Sequence, residues 1–309
     1  MRQIVNILGV LLVLTCSCAN EDSLQEDRLL YDEENVYQYL VDNNIVANRD
    51  PSGVYYEVLI GNETNRPVEL NDVVTVHYTI STLYGPELER STSGEPVSFL
   101  HDYKSVIPLG LDYGLDLMRE GERYRFYIPS GLAFGALATY SFDAYSGFIV
   151  ELEVVDIQTL EEKYECEMKD IRERFNDYTT ENISFSSSGL IYTSITAGTG
   201  ESPVADSKVQ INFECSYLDS TLVEKSNPQE PVALTLSDDT ILEGLRETIL
   251  GMKAGGKSSV VMPSRLAFGS SIQVLPVGER ESVLTGLELP VAVLPFSTLI
   301  YDIELLTVD

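Results

Sequence analysis

Apolar and polar positions along the chain fall into two periods. Short runs rich in β-branched and aromatic residues predict strands at Val54 to Ile60, Val73 to Leu83, Arg123 to Ile128, Phe148 to Ile157 and Leu299 to Val308. Between them Leu111, Leu115 and Met118 sit at i, i+4 and i+7, as do Leu245, Ile249 and Met252, so each set lines one face of a short helix packed on a sheet. A longer helical spacing runs through Leu160, Tyr164, Met168, Ile171, Phe175 and Tyr178, and the segment around Val36, Leu40 and Val41 plays the same part earlier. The acidic residues of these lead-in helices read as a solvated face. The predicted class is α+β, a mainly antiparallel sheet covered by a single short helix.

The pattern is written twice. Ser52-Gly53-Val54-Tyr55-Tyr56 returns as Ser188-Gly189-Leu190-Ile191-Tyr192 after 136 residues, and Leu132-Ala133-Phe134-Gly135 returns unchanged as Leu266-Ala267-Phe268-Gly269 after 134. Solenoid repeats recur every 20 to 50 residues or so, so a period this long indicates a tandem duplication of a whole domain. The expected plan is a domain over 48–158, a linker helix over 159–185 and a second domain over 186–309. The second copy carries about 17 extra residues before Leu299, a flap insertion at about 270–297 that reads as a long loop beside whatever site the fold carries.

Charge narrows the function. The 309 residues include 49 acidic and 20 basic side chains, a formal net charge of −29, which repels phosphate backbones and anionic headgroups and excludes a general nucleic-acid binder. His77, His101, Cys166 and Cys215 stand at no ligand-like spacing, so no metal is expected, and no cofactor is implied. Cys166 and Cys215 read as buried free thiols, although an envelope location permits a disulfide. Gly121 and Gly255 read as closing turns, and the sequons Asn62-Glu63-Thr64 and Asn182-Ile183-Ser184 as loop residues.

The N-terminus reads as an address. Arg2 precedes an apolar run from Ile4 to Leu14, the length of a signal-peptide core and too short to span a bilayer. Residues 1–17 are then a signal peptide, and Ser17-Cys18 resembles the end of a bacterial lipobox, which makes Cys18 the expected lipid anchor, with Cys16 as the alternative. Ala19-Asn20-Glu21-Asp22 resembles the acidic tag of surface-exported lipoproteins of Bacteroidetes-like bacteria. An acidic tether with a helix over 18–47 would hold the body off an envelope membrane.

The ordered motifs carry a family resemblance. Val76-His77-Tyr78-Thr79, Pro96-Val97-Ser98-Phe99, Val106-Ile107-Pro108, the run from Gly114 to Glu122, the run from Ile128 to Gly135 and the run from Val150 to Asp156 together resemble an FKBP-type peptidyl-prolyl isomerase, and the second copy repeats the series. The resemblance implies a curved antiparallel sheet wrapped around one helix, with an apolar pocket between them that receives proline-containing polypeptide clients. In the first copy the implied catalytic pocket is Tyr78, Val106, Ile107, Leu111 and Phe134, with Leu88, Glu89, Val97, Phe99 and Val150 binding substrate. In the second it is Phe213, Ile241, Leu242, Leu245, Phe268 and Tyr301, with Val223, Glu224 and Val232 binding substrate. Without the family comparison most of these positions read as ordinary core, and Glu89 and Glu224 as surface charges.

An X-Pro amide rotates against a barrier of about 18–20 kcal/mol because rotation breaks its resonance. The twisted amide is less dipolar than the planar one, so a water-poor apolar pocket favours it without nucleophile, base or metal. Departures from the family pattern weaken this expectation. Leu111 and Leu245 replace a floor Trp whose stacking is worth about 0.5–1.5 kcal/mol, and Phe134 and Phe268 replace a Tyr whose hydroxyl is worth about 0.5–1.5 kcal/mol. The first copy, which keeps Tyr78 and Val106-Ile107, is the better candidate for activity. A degenerate peptide-binding or chaperone module and a purely structural lipoprotein stay open as alternatives, and the oligomeric state is left open.

Overall fold

A computed structural model describes residues 32–91, 95–176, 183–289 and 293–309. The expected signal peptide, the Cys18 anchor, Tyr178 and Asn182 lie outside the described residues.

After helix α1 (residues 32–42), the first half forms strands β1 (Asn48–Arg49), β2 (Tyr55–Ile60), β3 (Asp72–Thr82), β4 (Glu87–Arg90), β5 (Val97–Leu100) and β6 (Val106–Ile107). Helix α2 (Leu109–Leu115), β7 (Arg123–Ile128) and β8 (Phe148–Thr159) complete it. Its sheet runs β1-β2-β7-β8-β3-β4, with β5 also on β3, and these pairings are antiparallel. The alternation of β3 sets its register: Val76, Tyr78 and Ile80 lie opposite Val154, Leu152 and Val150 of β8, and all six are buried on one face.

Helix α2 crosses that face with Leu111 and Leu115 fully buried. Its glycines let it come close: a Cβ on Gly110 would stand 2.6 Å from Ile128 Cγ2, and one on Gly114 2.6 Å from Phe126 Cε1.

The second half begins with α3 (Leu160–Asn176) and repeats the plan through β9 (Ser184–Phe185), β10 (Ile191–Thr196), β11 (Lys208–Tyr217), β12 (Leu222–Lys225), β13 (Val232–Thr235), α4 (Glu243–Leu250) and β14 (Gly256–Met262). Then come β15 (Gln273–Val274), α5 (Arg280–Gly286) and β16 (Leu299–Val308). The sheet order β12-β11-β16-β14-β10-β9, with β13 on β11, matches the first sheet strand for strand. Gly244 repeats the close approach of Gly110, its Cβ position being 2.7 Å from Met262 Sδ. Gly121 and Gly255 close the turns into β7 and β14 at φ +79° and +80°, a region that favours glycine. The Ile107–Pro108 and Leu275–Pro276 peptide bonds are cis.

The lead-in helices are more than solvated faces. Asp32 of α1 accepts from the Ser130 hydroxyl, and Glu167 of α3 accepts from the Ser264 amide at 2.8 Å and the Ser264 hydroxyl at 2.5 Å. Each helix thus pins the 3-10 turn of its own copy, Ser130–Leu132 or Ser264–Leu266. Thr159 and Glu162 form a capping box at the start of α3, with Glu162 N to Thr159 Oγ1 at 3.2 Å and Thr159 N to Glu162 Oε2 at 2.7 Å. No helix among the described residues is long and apolar enough to cross a membrane.

Three readings need correction. The insertion is not a plain loop: it carries β15, a 3-10 turn (Val277–Glu279) and α5, and β15 pairs in parallel with β6 of the other half. Cys166 is exposed, since it lies on the outer side of α3; Cys215 is buried, and both are free. His101, which read only as unsuited to a metal, is fully buried between two carboxylates.

His101 Nδ1 lies 2.7 Å from Asp112 Oδ1 and Nε2 2.9 Å from Asp116 Oδ1, and Asp116 also accepts from the Tyr103 hydroxyl at 2.7 Å. With a carboxylate oxygen against each ring nitrogen, the imidazolium is the form that fits. Burial opposes that charge, but the bonds to Asp112 and Asp116 outweigh it and hold the His101 pKa above its ordinary value; burial also pushes the Asp112 carboxyl up, against the pull of His101. A raised folded-state pKa gives stability that is complete below about pH 6.5 and fades as pH climbs through the elevated value. His101→Gln is therefore expected to cost about 3–5 kcal/mol by stranding buried Asp112. Between about pH 6 and pH 9 the parent chain should lose thermal stability; a flat profile over that range would refute the charged pair.

Candidate functional site

Six elements converge on one hollow in the first half. β3 contributes Tyr78, β4 Leu88 and Glu89, β5 Val97 and Phe99, β6 Val106 and Ile107, α2 Leu111 and β8 Val150, while Phe134 follows the 3-10 turn. Tyr78, Phe99, Val106, Leu111, Phe134 and Val150 are buried in one cluster, with Leu88, Val97 and Ile107 packed against it. Two further walls escaped the sequence reading. Phe142 and Phe148 pack around Phe134, tilted and edge-on, with ring centroids 4.6 and 5.0 Å from it and 5.2 Å from each other.

This hollow is filled by the insertion of the second half. Val274, Leu275, Val283 and Leu284 are buried in the same cluster, and Ile272, Val277 and Leu289 pack on it. The segment runs beside β6: Gln273 N donates to Ser105 O at 2.6 Å and Leu275 N to Ile107 O at 2.8 Å. Beyond Pro276, Val277 N donates to Glu89 Oε1 at 2.6 Å and Gly278 N to Oε2 at 2.8 Å, and the Tyr78 hydroxyl donates to the same carboxylate. Glu89, read from sequence as a surface charge, is half-buried and serves as the polar clamp of the site. Burial and the Glu89 carboxylate push the Tyr78 hydroxyl pKa up, so it stays a donor.

The insertion carried a signal: Ile272, Val274, Leu275, Val277, Val283, Leu284 and Leu289 are more apolar residues than a solvated loop bears. That pattern marks burial without saying against which half.

In the second half the equivalent residues also come together, but their walls keep accessible surface. Tyr301 is buried, while Phe213, Val223, Val232, Ile241, Leu242 and Leu245 are half-buried around it, and Phe268 is 38% exposed at the rim. The Phe213 and Tyr301 rings lie 6.0 Å apart. Burial and the neighbouring Cys215 push the Tyr301 hydroxyl pKa up, and burial raises the Cys215 thiol to about 11, so both groups are neutral near pH 7. Glu224 is exposed, as expected. A groove of about 650 Å³ on this sheet is lined by Phe213 and Ile303 but also by Asn212, Lys225, Lys257, Asp302 and Glu304, charged and polar groups unsuited to the desolvation described above.

Residues 64–176 and 199–306 both match the family model for FKBP-type peptidyl-prolyl cis-trans isomerases, more than half of the chain. The chain belongs to this family. The FKBP-type isomerase FkpA of Escherichia coli K12 is 30% identical over 146 residues, 47% of this chain and 46% of that protein. The chloroplastic peptidyl-prolyl cis-trans isomerase FKBP16-1 of Arabidopsis thaliana is 30% identical over 129 residues, 39% of this chain and 58% of that one. The chain thus spans about half the length of the curated relatives it matches. The crystal structure of E. coli FkpA aligns with a TM-score of 0.36 at 29% identity, covering 48% of this chain and 62% of that one.

The two FKBP copies differ in how their matching apolar residues are covered. In the first they are covered by the insertion, and in the second they keep accessible surface. Because Leu275 has no exposed surface in the first FKBP core, Leu275→Ala is expected to lower stability by about 2–5 kcal/mol. Urea denaturation checks this, and a loss below about 1 kcal/mol would put that side chain in solvent instead.

Proposed function

We propose that the protein is a prolyl cis-trans isomerase of a bacterial cell envelope, acting on X-Pro bonds of exported polypeptides through the pocket of the second FKBP copy. The observation that carries this reading is the set of half-buried apolar walls around Tyr301, in contrast to the covered walls around Phe134. In this reading Ile241 and Leu242 bracket the client, Phe213, Val223, Val232 and Tyr301 form the walls, and Leu245 is the floor. Removing water from the X-Pro amide favours its twisted, less dipolar state, and no ionised side chain is asked to transfer a proton. The lipobox-like Cys18 and the net charge of −29 support a lipid-anchored body standing off the membrane, facing the periplasm or the cell surface.

A second reading is favoured by the substitutions at the pocket. With Leu245 at the floor and Phe268 without a hydroxyl, the copy could hold proline-containing peptides as a chaperone does and turn them over slowly or not at all.

A prolyl-peptide assay on the mature chain separates the two. Turnover above background is expected, to be lost in Leu242→Asp. Phe268→Tyr restores a hydroxyl donor at the rim and should raise turnover by up to about tenfold. No rate in either the parent or Phe268→Tyr, with aggregation of an unfolded client still slowed, would select the peptide-binding reading.

A further inference from the structure

The segment in the first pocket is bound as a ligand is bound. Up to Gly278 its hydrogen bonds to the first half are main-chain on its own side, from Gln273 and Leu275 to the Ser105 and Ile107 carbonyls and from Val277 and Gly278 to Glu89, so the site grips the backbone on both sides of Pro276, extended before it and in a 3-10 turn after it. Strand addition of this kind gives affinity through the backbone and specificity through side-chain pockets, here filled by Val274 and Leu275. The Glu89 carboxylate receives two amides as charge-assisted bonds, stronger than neutral ones. It also sets a size limit, because a Cβ on residue 278 would stand 3.1 Å from Glu89 Oε2. Arg280 bends the segment back toward its own half, its guanidinium donating to Ile272 O and to Val293 O at 2.8 Å. The pairing with β6 is two residues long, whereas the first sheet and α2 are built from the first half's own residues.

We propose that residues 272–278 are a tethered ligand of the first FKBP pocket. In the resting chain they close that pocket to clients. When they leave, it accepts a peptide of the same chemistry: two apolar residues, proline, an apolar residue and glycine. The inference rests on reading the pocket as a proline-peptide site, but its test measures binding and not turnover. Tethering supplies an effective concentration of the order of millimolar, so a free peptide of micromolar intrinsic affinity is weakened about a thousandfold while the segment is in place.

The experiment uses the full mature chain and a labelled nonapeptide of residues 271–279, followed by fluorescence anisotropy. Affinity is scored as the part lost on Glu89→Gln, which excludes peptide held by the second pocket. Replacing residues 272–278 by a Gly-Ser stretch of equal length is expected to tighten this Glu89-dependent binding by about a hundredfold or more. Equal binding by the parent and replaced chains overturns the proposal, as does no binding by a replaced chain with the parent's circular dichroism. Should that chain lose its first sheet, Gly278→Ala carries the comparison, with a gain of about tenfold expected from crowding the charge-assisted Glu89 contact and no gain overturning the proposal. A binding switch in a chain without turnover would sink the isomerase reading and leave this one standing, and turnover without a switch would do the reverse.

Discussion

A short helix laid across a curved sheet covers it along one line, and the apolar wall beside that line is either covered by something else or left facing water. That constraint arranges most of this molecule. In the first FKBP copy the uncovered wall between β5, β6 and α2 is buried by Val274 and Leu275 from the other copy, and the hydrophobic gain of that burial holds the two halves together through a pairing only two residues long. In the second copy the corresponding wall is left half-exposed. An apolar wall left accessible is the kind of surface that proteins keep for binding.

The two pockets have also parted in their polar equipment. Tyr78 keeps its hydroxyl and turns it to Glu89, which in turn collects the amides of Val277 and Gly278. The second copy has Phe213 in place of Tyr78, and its Glu224 points to solvent. The first site is therefore built to hold a backbone in a fixed register, and the second is built of apolar surface with little to orient a ligand. An isomerase needs a client that comes and goes, so the looser pocket suits turnover and the clamped one suits retention.

Much of this was readable from residue order. The strands, the two short helices and the duplication follow from local periods and from repeated motifs, because alternation and helical spacing report which face of an element is buried. The pocket residues were readable through the family pattern, and the chain does bring them together in each half. What could not be read was non-local. The apolar residues of 272–289 declare that they are buried but carry no address, so the insertion read only as a long loop beside whatever site the fold carries. Glu89 looked like one acid among many, because its role depends on two amides almost two hundred positions away. The same holds for Asp32 with Ser130, for Glu167 with Ser264, and for His101, whose charge is set by Asp112 and Asp116 on the neighbouring helix face.

The account depends on the first pocket being occupied by the chain itself, and native-state hydrogen exchange of the unmodified protein reads this directly. The amides of Leu275, Val277 and Gly278, which donate to Ile107 O and to Glu89, should exchange about a thousandfold more slowly than those of an unstructured peptide. Exchange of those three at the rate of an unstructured peptide, with β3 and β8 still protected, would contradict the account.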